Sequence, residues 1–443
     1  MRITVLGHAS LLFQTASERI LLDPVLRTSS LLGSVVHQYP RELEVQAMPA
    51  PTMLVLTHEH YDHFDPETLR LLPKDVPVVI PPDPKMEVQL RHLGFGEVTT
   101  LDAWASTTHG SVRLTATPSV ADVTEFGLIV EAPGATFWHM SDAEPPSGAS
   151  AKIVSDFAPI DVVSVKYQPP DPLLNFFHNM GSSFDRRSTA EWMEHACACR
   201  PKLAFPYASG LCLTQDHAWE NRYAYPFSPE FVAAVLAERL GGTGRAAIVK
   251  PGDVIGIHDS VIDIDQQASG FVRQSGHEKS IEWEPFEVGS LGPRLGVADK
   301  QSLAAELAEV IGGGQFSAWL RNQPRLVRPF REWRILYQGT VHISERERLN
   351  FYVDFSDAIP EARVGKSFAA SYFMHIGGTG AHKLLSGRAY SAELMYQGCI
   401  RIYERIVSVR NDRIDAPDTK FIYDSFPDPF LCFANARAKS LRR

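Results

Sequence analysis

Apolar positions in this chain come as short runs separated by turns and by stretches of helical spacing. Residues 2–6, 10–14 and 19–22 predict three strands with turn residues between them. Met53-Leu54-Val55-Leu56 predicts a fourth. Val76-Pro77-Val78-Val79-Ile80 predicts a fifth, with Pro77 tolerated only at its start and Pro81-Pro82 ending it. Asp65-Pro66-Glu67-Thr68 opens a helix with proline in its first turn, and residues 85–93 read as another. The theme then repeats with strands at 112–116, 126–130, 135–138, 161–165 and 203–205. The capping box Ser188-Thr189-Ala190-Glu191 starts a helix that runs to about Cys199. Strands alternating with helices predict a layered α/β arrangement. Residues 27–50 show no clear period and read as a lid or a surface loop.

The polar stretch 265–295, with its Gly, Ser and Gln, reads as a connection, so the expected domains are 1–260 and 261–443. Within the second, residues 301–312 have helical spacing and Leu349–Phe355 alternates like a strand. Ile376-Gly377-Gly378-Thr379-Gly380 lacks the Gly-Lys-Ser/Thr that gives a phosphate loop its meaning and reads as a turn. No ligand cluster follows residue 261, so the second domain is expected to cover substrate or to dimerise.

Size agrees with two cores, since 443 residues exceed what one usually holds. A net charge of -9 and the lack of any basic block exclude the electrostatic footprint of a nucleic-acid binder. Five cysteines at irregular spacing (Cys197, Cys199, Cys212, Cys399, Cys432) argue against a disulfide framework and for a reducing, cytoplasmic setting. No run of eighteen apolar residues exists, so no membrane span is expected. Residues 1–6 lack the apolar core of a signal peptide.

The chemistry concentrates in Thr57-His58-Glu59-His60-Tyr61-Asp62-His63, directly after the fourth strand. His58 and His60, at i and i+2, face one way in extended backbone and can share a cation. Asp62 and His63 follow as the chain turns and can hold a second. Imidazole suits zinc or iron, and a carboxylate hardens a site towards iron, manganese or zinc.

This His-x-His-x-Asp-His pattern resembles that of the metallo-β-lactamase superfamily. Gly7-His8-Ala9-Ser10-Leu11-Leu12 and Ile20-Leu21-Leu22-Asp23-Pro24 resemble the opening of its branch of ascorbate-phosphate lactonases and N-acyl ethanolamine phosphodiesterases. Pro206-Tyr207-Ala208-Ser209-Gly210, Lys250-Pro251-Gly252-Asp253 and Phe351-Tyr352-Val353-Asp354-Phe355 are most similar to CMP-N-acetylneuraminate hydroxylase-like proteins. The resemblance implies a four-layer αββα fold over residues 1–260, followed by an α+β, lipid-carrier-like domain. It implies two metal ions and an acid at the end of the 135–138 strand, here Asp142, that bridges them. His8 and Asp23 are expected to surround the metals. Lys166, Tyr167, His178 and Tyr207 are expected near them or near substrate, in an aromatic-lined pocket.

Two ligand positions depart from the family. Where many relatives have a histidine after the 112–116 strand, this chain has Thr117-Pro118-Ser119-Val120-Ala121-Asp122, and Asp122 is the replacement by position. Where many have one after the 203–205 strand, Tyr207-Ala208 stand, and the hydroxylase-like pattern offers His217, with His178 as rival. A carboxylate in place of an imidazole shifts preference towards iron, with zinc or manganese also possible. The expected ligands are therefore His58, His60, Asp62, His63, Asp122, Asp142 and His217. The first functional reading is a non-haem diiron oxygenase acting on a small molecule. The hydroxylases it resembles also carry a Rieske cluster on two Cys and two His, a motif this sequence lacks, so electrons would come from a redox partner or the substrate. The second reading is a dinuclear metal hydrolase of a phosphodiester, lactone or amide. The third, a binding protein with incomplete ligation, is disfavoured by the complete 58–63 motif.

Overall fold

The computed structural model describes residues 1–27, 29–30, 35–168, 185–208, 210–214, 218, 221, 226–277, 291–292, 295–344, 346–418 and 425–441. The chain divides into two compact units, Met1–Ile281 with Asp412–Ile414, and Glu282–Asn411 with Asp415–Arg443.

Two sheets stacked face to face make the centre of the first unit. One has eight strands in the order Val261–Asp265, Val254–His258, Arg2–Gly7, Ser10–Gln14, Arg19–Leu22, Met53–Val55, Val78–Ile80, Val98–Thr100. The other has seven, from Ser106–His109 through Val112–Thr117, Gly127–Ala132, Ala135–His139, Val162–Val165 and Leu203–Pro206 to Arg245–Ala246. Successive side chains of a strand point to opposite faces, and here both faces are apolar. Ile3, Val5, Leu11, Phe13, Ile20 and Leu22 meet Leu114, Leu128, Val130, Phe137, Val162 and Phe205 between the sheets. The intervening Leu6, Leu12, Leu21, Leu54 and Leu56 pack outward against Leu69, Met86 and Leu90 of the helices Pro66–Leu71 and Pro84–His92. Each such burial contributes roughly 1.5–3 kcal/mol. The helices Arg186–Ala198 and Pro229–Leu240 cover the far face of the second sheet. Helix, sheet, sheet and helix give the four-layer αββα fold.

Caps fix where helices begin. Asp65 accepts from the Glu67 and Thr68 N–H groups, and Asp83 from those of Lys85 and Met86. The helix expected from the 188–191 capping box starts earlier, at Arg186, because Asp185 accepts from the Arg187 and Ser188 N–H groups. Residues 35–47 are tied down by non-local pairing: Val35–His37 pairs with Leu211–Leu213, and Arg41–Leu43 with Val272–Gln274. Val261–Asp265 extends the first unit's sheet beyond residue 260 by pairing with Val254–His258.

The second unit is α+β. Its five-stranded sheet runs Ala362–Val364, Arg348–Asp354, Leu336–His342, Tyr372–Gly377, Ile400–Glu404, packed on helices that include Val297–Leu307, Gly378–Leu385 and Pro429–Leu441. Ile376–Gly380 is a strand-to-helix junction rather than a free turn, and the helix begins at Gly378. A side chain at Gly377 would run into the Leu291 carbonyl, so the glycine is there for close approach. Among the described residues no helix is long and apolar enough to cross a membrane.

Candidate metal centre

The 57–63 loop leaves the sheet at the end of Met53–Val55, beside the end of Arg19–Leu22, to which that strand pairs in parallel. Asp23, at 0 % exposure, sits in the gap between them. Its carboxylate accepts from Thr57 N–H at 2.7 Å and Thr57 Oγ1 at 2.7 Å, and its Oδ2 lies 2.8 Å from His63 Nδ1. A carboxylate on Nδ1 fixes the ring's tautomer and leaves Nε2 as a lone pair facing outward. Thr57 Oγ1 also meets His58 Nδ1 at 3.1 Å and Ser141 Oγ at 2.8 Å. One buried network therefore orients both histidines and reaches the second sheet. The His60 carbonyl accepts from the His63 and Phe64 N–H groups, which makes the turn.

Two groups of potential ligands result, each with its donor atoms within 4.8 Å of one another: His58, His63 and Asp142, and His8, Asp62 and His63. His63 Nε2 is 3.6 Å from Asp142 Oδ1 and 4.0 Å from Asp62 Oδ2, and His58 Nε2 is 4.0 Å from Asp142 Oδ2. His8 Nε2 is 3.1 Å from Asp62 Oδ2. Ligands about 2.0–2.2 Å from a tetrahedral cation stand roughly 3.3–3.6 Å apart, so these spacings are near what an ion requires. The Nε2 atoms of His8, His58 and His63 and Asp142 Oδ1 are buried without a hydrogen-bond partner. Buried polar atoms ordinarily have partners, and cations held by the two groups would supply them. The donor set fits a metal.

Electrostatics agrees. Burial works against the charged form of His63, but Asp142 and Asp23 outweigh it and push its pKa up to about 10. Burial likewise opposes ionised Asp62 and Asp142, yet contact with His8 and proximity to His63 hold Asp62 below the usual carboxylate range, and His63 and Lys166 do so for Asp142. His58 is pushed well below its ordinary value, by burial first and His63 second. The cluster is built around ionised acids and attracts positive charge.

The remaining expected residues divide. His60 is exposed, its ring 4.6 Å from that of His58, and it lies in neither group. Asp122 is exposed and lies in neither group. Glu125 turns inward instead, held by Ser119 Oγ at 2.5 Å and close enough to Asp142 and His63 to feel their charges. Burial, first of all, pushes its carboxyl up to about 7. Sequence position gave no way to choose between two acids in one aperiodic loop. His178 and His217 lie outside the described residues. Lys166 Nζ donates to the Asp142 carbonyl and lies 4.5 Å over the Trp192 ring. Tyr207 Oη donates to the Ser10 carbonyl at 2.8 Å. His139 was not anticipated: it is 0 % exposed, its Nδ1 is 2.6 Å from Ser164 Oγ, and burial lowers its pKa to about 4. Its only signal was its place at the end of the strand before Asp142.

Three residues at the centre, His8, Asp23 and Ser141, have positive φ of 49°, 41° and 52°. Such backbone costs about 1–3 kcal/mol per residue and collects at functional sites. Beside His8 lies a narrow cleft walled among others by His37, Tyr39, Tyr167, Tyr207 and Pro251.

The comparisons with known proteins follow this geometry. A family described as Beta-lactamase superfamily domain matches residues 18–204. A UPF0173 metal-dependent hydrolase of Methanosphaerula palustris is 30% identical over 230 residues, 49% of this chain and 88% of the relative. The chain belongs to the metallo-β-lactamase fold superfamily. It is also 31% identical over 178 residues to a putative Rieske 2Fe-2S iron-sulfur protein of Mycolicibacterium smegmatis, a match over 38% of this chain and 34% of that protein. The chain thus spans about a third of the length of these Rieske-named relatives. Among solved structures, CmlA, a diiron β-hydroxylase from Streptomyces venezuelae, is similar over 56% of this chain and 53% of its own, with 18% identity and a TM-score of 0.42.

Proposed function

We propose that the protein is a dinuclear metallohydrolase of small polar substrates. His58, His60, Asp62, His63 and Asp142 hold the cations, and the two Asp142 oxygens face one histidine each. The observation that carries the reading is the set of orphaned Nε2 atoms on His58 and His63 facing the Asp142 carboxylate, with Asp23 locking the His63 ring behind it. Cations bound there supply a water of lowered pKa and polarise the bond to be cleaved. The chain's own share is positional. Asp23 and Thr57 hold the two rings, Lys166 braces the Asp142 turn through its carbonyl, and the aromatic cleft beside His8 receives the substrate. Hydrolysis needs water alone, and the relative whose length this chain nearly spans is called a metal-dependent hydrolase.

Glu125 favours a second reading. A half-buried carboxylate beside Asp142 and His63 makes the donor set richer in oxygen than a histidine there would, and that suits iron. In this reading the protein oxidises a small molecule with dioxygen, fed by a redox partner, and the Rieske-named relatives motivate the partner. Metal analysis after purification without chelators, with assays on p-nitrophenyl phosphodiesters and esters and an oxygen-uptake assay, separates the two. Zinc or manganese with hydrolysis and no oxygen uptake supports the first. Iron with substrate-dependent oxygen uptake and no hydrolysis installs the second.

A further inference from the structure

We propose that His8 is itself a metal ligand, completing with Asp62 and His63 the site of the second cation. The inference rests on the dinuclear reading above and goes further by assigning a ligand that lies outside the 58–63 motif.

Three observations carry it. The donor atoms of His8, Asp62 and His63 lie within 4.8 Å of one another, with His8 Nε2 only 3.1 Å from Asp62 Oδ2. The His8 residue is 6 % exposed, its Nδ1 has no hydrogen-bond partner, and its Nε2 lies against the Asp62 carboxylate, so a buried ring carries a polar atom aimed into an acidic group. The backbone is bent to place it. Gly7 has φ 115° and His8 φ 49°, a left-handed pair between the strands Arg2–Gly7 and Ser10–Gln14, where the register shifts between Val5 and Gly7. A bulge of this kind re-aims a side chain, here the ring that stands edge-on to His63 at 5.1 Å.

Ligand counting supports the assignment. His63 Nδ1 is occupied by Asp23, so His63 has one lone pair to give, although it belongs to both groups. If that pair serves the cation beside Asp62, the other cation keeps His58, the neighbouring His60 and Asp142 Oδ2, while Asp142 Oδ1 can bridge. The Asp62 site then has His63 and Asp62 from the motif, and His8 is the third protein donor within reach. A metal position with three protein donors leaves room for water or substrate, and His8 also lines the cleft through which either would arrive.

The test is a zinc titration of the full chain, stripped with chelator, with bound metal counted by mass spectrometry and affinities measured against a competing dye. The parent should take two zinc ions. His8→Asn, chosen because asparagine tolerates positive φ, should keep the first and bind the second more than about 100-fold more weakly. Free imidazole at millimolar concentration should restore the second step in that variant by occupying the space of the lost ring. If His8→Asn does not fold, 15N-histidine labelling of the parent gives the same answer, because the His8 Nε2 resonance must shift with the second zinc equivalent. Two zinc ions bound by His8→Asn with parental affinities, or an unshifted His8 resonance, overturns the assignment and leaves His8 as a partner of Asp62 only. A parent that binds one ion overturns it as well, and a parent that binds none removes the dinuclear reading together with it.

Discussion

Both units bury histidines and acids, but they use them in opposite ways. In the second unit the groups meet in pairs, and its orphaned atoms, such as Asp428 Oδ2 and His382 Nδ1, lie in no group of three potential ligands among the described residues. His342 Nε2 meets His375 Nδ1 at 3.0 Å across neighbouring parallel strands, and Asp428 accepts from Leu431 N–H at 2.8 Å and from Tyr337 Oη at 3.2 Å. In the first unit the groups converge: Asp23 turns His63 towards Asp62 and Asp142, and several donor atoms are left facing one another. Both groups of three or more potential ligands found among the described residues lie in the first unit. A buried histidine is therefore no sign of a metal by itself. What distinguishes a site is a carboxylate behind the ring and further acids in front of it.

The sharpest way to break the contrast is to remove the shared ring. His63→Ala is expected to abolish tight metal binding, measured as metal retained after dialysis, whereas His342→Phe should leave metal content unchanged. If the two variants retain equal metal, the convergence has no functional content. Next in size is a pH effect with a buried acid of the second unit at its centre. Burial pushes the Asp428 carboxyl up to about 7 in the folded chain, against about 3.9 unfolded. The folded state then holds the extra proton between those values, so stability falls as pH rises from about 4 to about 7, by up to about 4 kcal/mol. Asp428→Asn keeps the cap and removes the titration. Urea melts at pH 5 and pH 8 should show the parent losing stability and the variant losing much less. Asp23→Asn is the smaller test within the first unit. It should weaken zinc binding about 10–100-fold while the ligands stay in place, read by dye competition. Smallest is His375→Leu, which should cost about 1–3 kcal/mol of stability by removing the contact between His342 Nε2 and His375 Nδ1 and leave zinc affinity as it was.

Much of this contrast was legible in the chain. The apolar run 53–56 followed by alternating histidines marks a strand end carrying potential ligands, because strand periodicity and turn chemistry are local. Asp142 after the 135–138 strand was singled out by the family resemblance, and the fold brings it to within 4.0 Å of His58 and His63. What stayed hidden depends on non-local geometry. Asp122 and Glu125 are three residues apart in a loop without period, and only the folded path shows which one turns inward. The excursion after residue 27 looks like a free loop because the partners of Val35–His37 and Arg41–Leu43 lie far along the chain, at 211–213 and 272–274. The helix at Gly378–Leu385 was obscured by its glycines, which serve a close approach to Leu291 and His342 rather than flexibility.

The Asp23 carboxylate has a mechanical consequence. It joins the loop after one strand of the first sheet to His63 and, through Thr57 and Ser141 at 2.8 Å, to a turn of the second sheet. Sliding one sheet over the other by a single residue would displace those atoms by about 3.4 Å, far outside the few tenths of an ångström a hydrogen bond tolerates. The two layers are pinned together at the point where the chemistry is proposed to occur. His58 and His63 are thus held by bonds that tie the two sheets, so their spacing follows the packing of the sheets themselves.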